Sequence, residues 1–447
     1  MPSRRANRVA LVGIDGFSPA WIEKFLDDGS MPNLERIRRS GATVPLRSTL
    51  PATTPVAWAS IATGCHPSAT GIEGFLLHLP GRALDRRVSG AYATRCRREP
   101  IWETAALWGK RAYVVKFPLS YPSSAATLRI DGAAGWGGIL CLHQACASGV
   151  ADSARTEGSS RFVPAEGPLP PRSRFAWTGS LELETLWGGA PVRIDCAVIR
   201  SSPPELAISP TGDWGDAIVL RQGEWSELVR IDAHGRTGKV DCAVRFKLLH
   251  LDATGPGEPS IRLLNGPVHE LRQHSHPAGL ADFHLQRAGP VEEESEPTLL
   301  LEGLVDFDTH LERCRLNSRW LQRLSQSILE AEDWDLFMVH IHIVDWAHHL
   351  LEGALDPRHP LHDPNGKAEA VERLRAHYRL ADDLVGVIAS QVGDCGNMVV
   401  LGDHGQDLHH TTIRLNEAFS NEGWLAWAQA DGDAVDWERT RVYAAGN

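Results

Sequence analysis

The sequence predicts an α/β fold built on a largely parallel sheet and interrupted by a β-rich stretch. Three observations carry this reading. Apolar runs that look like buried strands end on an acid at Asp15, Asp345 and Asp403. Amphipathic helical segments alternate with those runs, as the crossovers of a parallel sheet require. Between about 175 and 272 the pattern changes to short, closely spaced strand segments.

The elements follow in order. Residues 8–14 form a strand that ends at Asp15, followed by helices over 18–27 and over Met31–Ser40. A third helix runs from Thr54 to Thr63, with Thr54 as its cap and Pro55 at the first helical position. Residues 101–109 are helical, and R-A-Y-V-V-K-F is a strand. Residues 147–174, rich in Ser, Pro, Gly and Arg, read as loop. Strands are expected in P-V-R-I-D-C-A-V-I, D-A-I-V-L-R, G-K-V-D-C-A-V-R-F-K-L-L-H-L and P-S-I-R-L-L. Helix returns over 309–331, and D-L-F-M-V-H-I-H-I-V-D is one long strand ending at Asp345. A helix over 367–391 leads to the strand N-M-V-V-L-G-D, which ends at Asp403. The expected organisation is a first core part (1–135), a β-rich insertion or cap (136–300) and a second core part (301–447), without internal repeats.

The chain has 447 residues and 43% hydrophobic content, enough for a sizeable core. Its 45 basic and 56 acidic residues leave a formal net charge of −11. That balance argues against bulk attraction to a nucleic acid polymer or an anionic membrane. A small anionic substrate then needs local positive charge, which a bound metal supplies. The start, Met-Pro-Ser-Arg-Arg-Ala-Asn-Arg, is basic, but the apolar run after it is too short for a signal sequence. No apolar run reaches membrane-spanning length. The eight cysteines form no C-x-x-C pair and read as small apolar residues of a reduced, cytoplasmic protein.

The chemistry is concentrated in Asp15, Thr54, Asp345, His349, Asp403 and His404. In parallel α/β sheets, ligands gather beyond the carboxyl ends of strands. The three acids are expected at such ends. Asp345 and His349, four apart, share a face if a helical turn follows the strand. Carboxylate oxygen with imidazole nitrogen suits zinc, and manganese or iron less well. Thr54, at a helix N-terminus, sits where the helix dipole favours an anion. A threonine hydroxyl is a poor nucleophile unless a bound metal lowers its pKa.

Each residue also has an ordinary structural reading. Asp15 could be a turn residue, Thr54 a plain cap, and His348 with His349 a solvated helical pair. It is their joint occurrence that points to a site. His340 and His342 alternate along a strand and read as core or cleft wall. Trp58 reads as packing. A sulfatase is disfavoured, since no C-x-P-x-R or S-x-P-x-R stretch is present at the nucleophile position.

The stretches G-I-D-G-F-S-P, D-G-S-M-P-N-L-E-R-I, L-R-S-T-L-P-A-T-T-P-V-A-W-A-S-I-A-T-G-C-H-P-S-A-T-G-I, F-P-L-S-Y-P, D-L-F-M-V-H-I-H-I-V-D-W-A-H-H and V-V-L-G-D-H-G carry a family resemblance. Over roughly 8–135 and 300–447 the chain resembles the type I phosphodiesterase/nucleotide pyrophosphatase branch of the alkaline phosphatase superfamily. The resemblance implies an alkaline-phosphatase-like three-layer α/β/α sandwich. It also implies metal-dependent hydrolysis of a small-molecule phosphodiester or nucleotide phosphoester. Two divalent metal ions, Zn2+ or Mn2+, are implied: one held by Asp15, Asp403 and His404, the other by Asp345 and His349. Thr54 would bridge them, attack phosphorus and form a phospho-threonine. Alignment on A-W-A-S-I-A-T-G selects Thr54 over Thr53.

The sequence departs from the family pattern at two places. The third histidine expected beside Asp345 and His349, in a G-x-H motif, does not follow Asp403, and His409 or His410 are the substitutes at hand. The C-terminal part of the core is accordingly expected to be missing. Phe75 stands where some members place an oxyanion-supporting Asn, and Thr70 replaces the usual His of H-G-I. These departures favour generic phosphoester hydrolysis over nucleotide pyrophosphatase activity. They also keep open a phosphomonoesterase, a phosphonate hydrolase, or an inactive truncated member acting as a binding protein.

Overall fold

The computed structural model describes residues 8–122, 128–130, 144–155, 157–167, 169, 173–235, 238–255, 257–272, 275–277, 279–292, 296–331, 333–360, 362–393, 396–407, 413–429 and 434–444. The chain divides into two compact units. One comprises Met1–Arg129 with Leu329–Asn447, the other Ile130–Ile328.

The first unit is organised around a parallel sheet. Its strands are β1 (Val9–Ile14), β2 (Ala112–Val115), β3 (Leu336–Ile341) and β4 (Asn397–Leu401), laid side by side in the order β2-β3-β1-β4. β2 and β3 are buried along their whole length, as strands covered on both faces must be. The helices α1 (Pro19–Asp27), α2 (Pro32–Ser40), α3 (Thr54–Thr63), α4 (Ile101–Leu107), α5 (Ile343–Leu355) and α6 (Lys367–Val392) accompany the sheet. α6 packs on β1, β4, α5 and α2. Its buried stripe is Leu374, Tyr378, Ala381, Leu384, Val385 and Ile388, with helical spacing. On that stripe, buried Asp382 accepts the backbone N–H groups of Asn33 (3.1 Å) and Leu34 (2.7 Å). The carboxylate thereby serves the open N-terminus of α2, whose own flanking residue, Met31, supplies no side-chain cap.

Two local expectations are corrected here. The residue that caps α3 is Thr53, whose carbonyl accepts the N–H groups of Val56 and Ala57, so Thr54 is the first helical residue. The strand before Asp345 stops at Ile341, because its partner β1 ends opposite, at Ile14. The chain then turns at His342 (φ −108°, ψ −11°), and Asp345 lies in the first turn of α5.

The second unit is β-rich. Its five-stranded antiparallel sheet runs Ile218–Leu220, Glu205–Ser209, Val192–Ile199, Phe175–Leu183, Ser160–Pro164. Smaller four- and three-stranded sheets share its apolar core, which includes Leu181, Ile194, Ile208, Val244, Leu248 and Ile261. The stretch expected as loop over 147–174 contains strands Gly149–Asp152 and Ser160–Pro164. Pairing fixes them: the first lies against Ser260–Asn265, the second against Phe175–Leu183. The long run expected after Gly238 breaks at Arg245 into two strands that join different sheets. Among the described residues, no helix is long and apolar enough to cross a membrane.

Candidate active site

Sheet register brings the acids together. Gly13 of β1 is level with His340 of β3 and Leu401 of β4. Asp15 and Asp403, each two residues further on, therefore emerge side by side at the carboxyl ends of neighbouring strands. Asp345 arrives from the first turn of α5. All three carboxylates are buried.

Two glycines make this approach possible. A Cβ on Gly13 would lie 2.5 Å from the ring of Trp58. Gly16 adopts φ +64°, and a Cβ there would lie 2.9 Å from the Asp345 backbone. The Gly16 N–H donates to Asp403 Oδ1 at 3.2 Å, tying the turn after β1 to the turn after β4.

Thr54, at the start of α3, points its hydroxyl into this cluster. Thr54 Oγ1 lies 3.1 Å from His404 Nε2 and donates a long 3.4 Å hydrogen bond to Asp15 Oδ1. His404 Nε2 is also 3.5 Å from Asp15 Oδ1 and 3.2 Å from Asp403 Oδ2. Around Asp345, His342 Nε2 stands at 3.1 Å and His349 Nε2 at 3.4 Å from Oδ2, while Gln406 Nε2 donates to Oδ1 at 2.7 Å. Asp345 and His349 share one face of α5, as their spacing requires. The structure thus brings all six sequence-identified residues into one neighbourhood.

The electrostatics differ from one acid to the next. Burial pushes the Asp345 carboxyl up, but hydrogen bonds from His342 and His349 outweigh it and hold the group well below the usual range. The Asp345 carboxylate in turn raises the pKa of His349. Asp403 moves the other way: burial first, then the charges of Asp15 and Asp345, raise it well above the usual range. Asp403, unlike Asp345, thus feels the neighbouring carboxylates more than any positive charge.

A divalent cation fits this arrangement. Asp403 Oδ2 is buried and accepts no hydrogen bond among the described residues. Ligand atoms of Asp15, Asp345 and His404 lie within 4.8 Å of one another, and all are oxygen or imidazole nitrogen.

Sequence reasoning missed four residues here. His340, read as core or cleft wall, places Nε2 3.0 Å from Asp15 Oδ2. His342 reaches Asp345. Trp58, read as packing, is fully buried and also donates its indole N–H to Asp15 Oδ2 at 2.9 Å. Gln406 had no local signal beyond following D-H-G. The solvated reading of His348 is corrected: it is buried between Glu352 Oε1 (3.1 Å) and the Tyr378 hydroxyl (2.8 Å). Thr70 is buried and donates to the Pro67 carbonyl at 3.0 Å. His409 and His410 lie outside the described residues.

Comparison with known proteins gives the following. No curated protein matches the chain. Two solved structures of phosphonoacetate hydrolase from Sinorhizobium meliloti 1021, one with phosphonoformate and one with phosphonoacetate, are 33% and 32% identical to it. Each match covers 25% of this chain and 26% of the other, with a TM-score of 0.23. The matched region thus spans about a quarter of the length of these solved relatives. The family described as "Type I phosphodiesterase / nucleotide pyrophosphatase" matches residues 9–189 and 251–446, most of the chain. With its parallel sheet and interrupting β-rich unit of the alkaline-phosphatase-like kind, the chain belongs to the type I phosphodiesterase/nucleotide pyrophosphatase family.

Proposed function

We propose that this chain is a metal-dependent phosphoester hydrolase that uses Thr54 as its nucleophile. One observation carries the reading: the Thr54 hydroxyl, at the N-terminus of α3, faces His404 Nε2 (3.1 Å) and Asp15 Oδ1 (3.4 Å) within a buried carboxylate cluster. The reading assigns Asp15, Asp403 and His404 to one divalent cation and Asp345 with His349 to a second, zinc being the ion the donor set favours. Bound cations would lower the pKa of the Thr54 hydroxyl and offset the charge of the transferring phosphoryl group.

In this reading the residues present take the remaining roles. Thr54 Oγ1 attacks phosphorus, so an O–P bond forms as the bond to the departing oxygen breaks. The hydroxyl proton has two acceptors in reach, His404 Nε2 and Asp15 Oδ1. The start of α3 directs its positive dipole end toward the phosphoryl oxygens. Water then cleaves the phospho-threonine, breaking the Oγ1–P bond and returning a proton to Thr54. His340 and Trp58 hold Asp15 in one orientation throughout. The substrate is a small-molecule phosphoester.

The test is hydrolysis of a chromogenic aryl phosphodiester and the matching monoester by the 447-residue chain, with zinc and after chelation. Zinc-dependent turnover that falls by at least about a thousandfold in Thr54→Ala is expected. Full activity in Thr54→Ala with bound metal overturns the nucleophile assignment. The diester-to-monoester ratio separates a phosphodiesterase from a phosphomonoesterase.

A further inference from the structure

In the reading above, the Asp345–His349 half of the site has two protein ligands of the usual kinds. Among the described residues, no group of three His, Cys, Asp or Glu side chains poised for an ion contains His349. A different side chain occupies that corner. Gln406 places its carboxamide nitrogen 2.7 Å from Asp345 Oδ1 and 3.5 Å from His349 Nε2, while His349 itself lies 3.4 Å from Asp345 Oδ2. Three side-chain ends thus converge, and the buried His342 Nε2 also stands 3.1 Å from Asp345 Oδ2.

We propose that Gln406 is the third protein group of this half-site, and that its carboxamide oxygen joins Asp345 and His349 in holding a divalent cation. The inference rests on the metal-site reading above and adds a residue to it.

The chemistry supports the assignment. A carboxamide carries a donor and an acceptor on one end, and a half-turn of its terminal bond exchanges them. The N–H that bonds Asp345 without a cation is therefore replaced by a carbonyl oxygen when one is bound. Carbonyl oxygens are ordinary ligands of hard divalent cations and weaker ligands of zinc. The side chain is well placed to serve. It follows Asp403 by three residues and His404 by two in one loop, so a single loop addresses both halves of the site. It is half-buried, whereas the His349 side chain is 60% exposed, so this corner is open to solvent and to an entering ion. A carboxamide oxygen in place of an imidazole nitrogen leaves the half-site weaker for zinc and more exchangeable.

The test is calorimetric titration of zinc into the metal-stripped full chain, comparing wild type with Gln406→Ala, Gln406→Glu and Asp345→Asn. Far-UV circular dichroism checks that each variant is folded. Two binding events are expected in the wild type. Gln406→Ala should weaken one of them about ten- to hundredfold and leave the other unchanged. Gln406→Glu, which restores an oxygen ligand, should bind at least as tightly as wild type. Wild-type affinities in Gln406→Ala, or tighter binding there, overturn the role of Gln406 while leaving the half-site intact, provided Asp345→Asn still abolishes one event. If Asp345→Asn also changes nothing, the metal-site reading itself falls, and this inference with it.

Discussion

The indole N–H of Trp58 donates to Asp15 Oδ2 at 2.9 Å, and the same ring fills the space above Gly13. One side chain therefore supports the floor of the sheet and orients a carboxylate at its rim. Trp58→Phe keeps most of the packing and removes the donor, leaving His340 as the other close partner of that oxygen. The variant should lose about 1–3 kcal/mol in urea unfolding, the contribution of one buried hydrogen bond to a carboxylate. Its zinc affinity should fall by about tenfold. Unchanged stability and affinity would show that the hydrogen bond does not orient Asp15.

Gly16 offers a sharper test of the turn. Its φ of +64° is unfavourable to any side chain, and a Cβ would meet Asp345 at 2.9–3.0 Å. Gly16→Ala should cost about 2–4 kcal/mol, combining left-handed strain with overpacking. Gly29, at φ +76° with open space around it, is the control and should cost only about 1 kcal/mol as alanine. Thermal unfolding of the two variants gives the comparison; equal losses would mean that contact with Asp345 does not matter.

Neighbouring histidines should behave oppositely. His348 is buried between Glu352 and Tyr378, so His348→Leu strands both partners and should cost about 1–3 kcal/mol without changing zinc stoichiometry. The His349 side chain is 60% exposed, so His349→Ala should change stability by no more than about 0.5 kcal/mol while removing one zinc. Denaturant melts and metal analysis on the same samples decide the matter, and a reversed pattern would refute the assignment.

His284 should make the β-rich unit acid-sensitive. It is buried in the helix Gly279–Ala288, and neither ring nitrogen has a hydrogen bond among the described residues. Burial, with Arg287 adding to it, pushes its pKa from 6.5 down to about 4. Between those values the unfolded chain binds a proton that the folded chain excludes. Stability is thus fully present above about pH 6.5 and declines as pH falls toward about 4, by about 3 kcal/mol. His284→Leu should flatten that part of the urea midpoint profile. A profile identical to wild type would assign the acid sensitivity elsewhere.

Much of the site could be read from sequence because its logic is local. A buried apolar run that stops at an acid marks a strand end, and Asp15 and Asp403 both appear just past one. Asp345 and His349 required only helical spacing. The supporting residues were not legible, because their partners depend on register. The alternation of His340 and His342 shows that they share a side, but only the pairing of Gly13 with His340 shows which carboxylate His340 meets. The same holds for Gly149–Asp152, whose composition suggests loop and whose strand character comes from Ser260–Asn265. The shift of the α3 cap from Thr54 to Thr53 is a one-residue matter that two adjacent threonines cannot resolve in sequence.

The contact between Gly16 and Asp403 joins positions 387 residues apart. The repulsion that Asp15 and Asp345 exert on Asp403 therefore arises only once β4 stands beside β1. Placing Asp403 there opposes assembly, and a divalent cation that binds only the finished cluster would draw it to completion by mass action. Metal supply would then govern how much of the newly made chain reaches its native form, in addition to how fast the finished protein turns over.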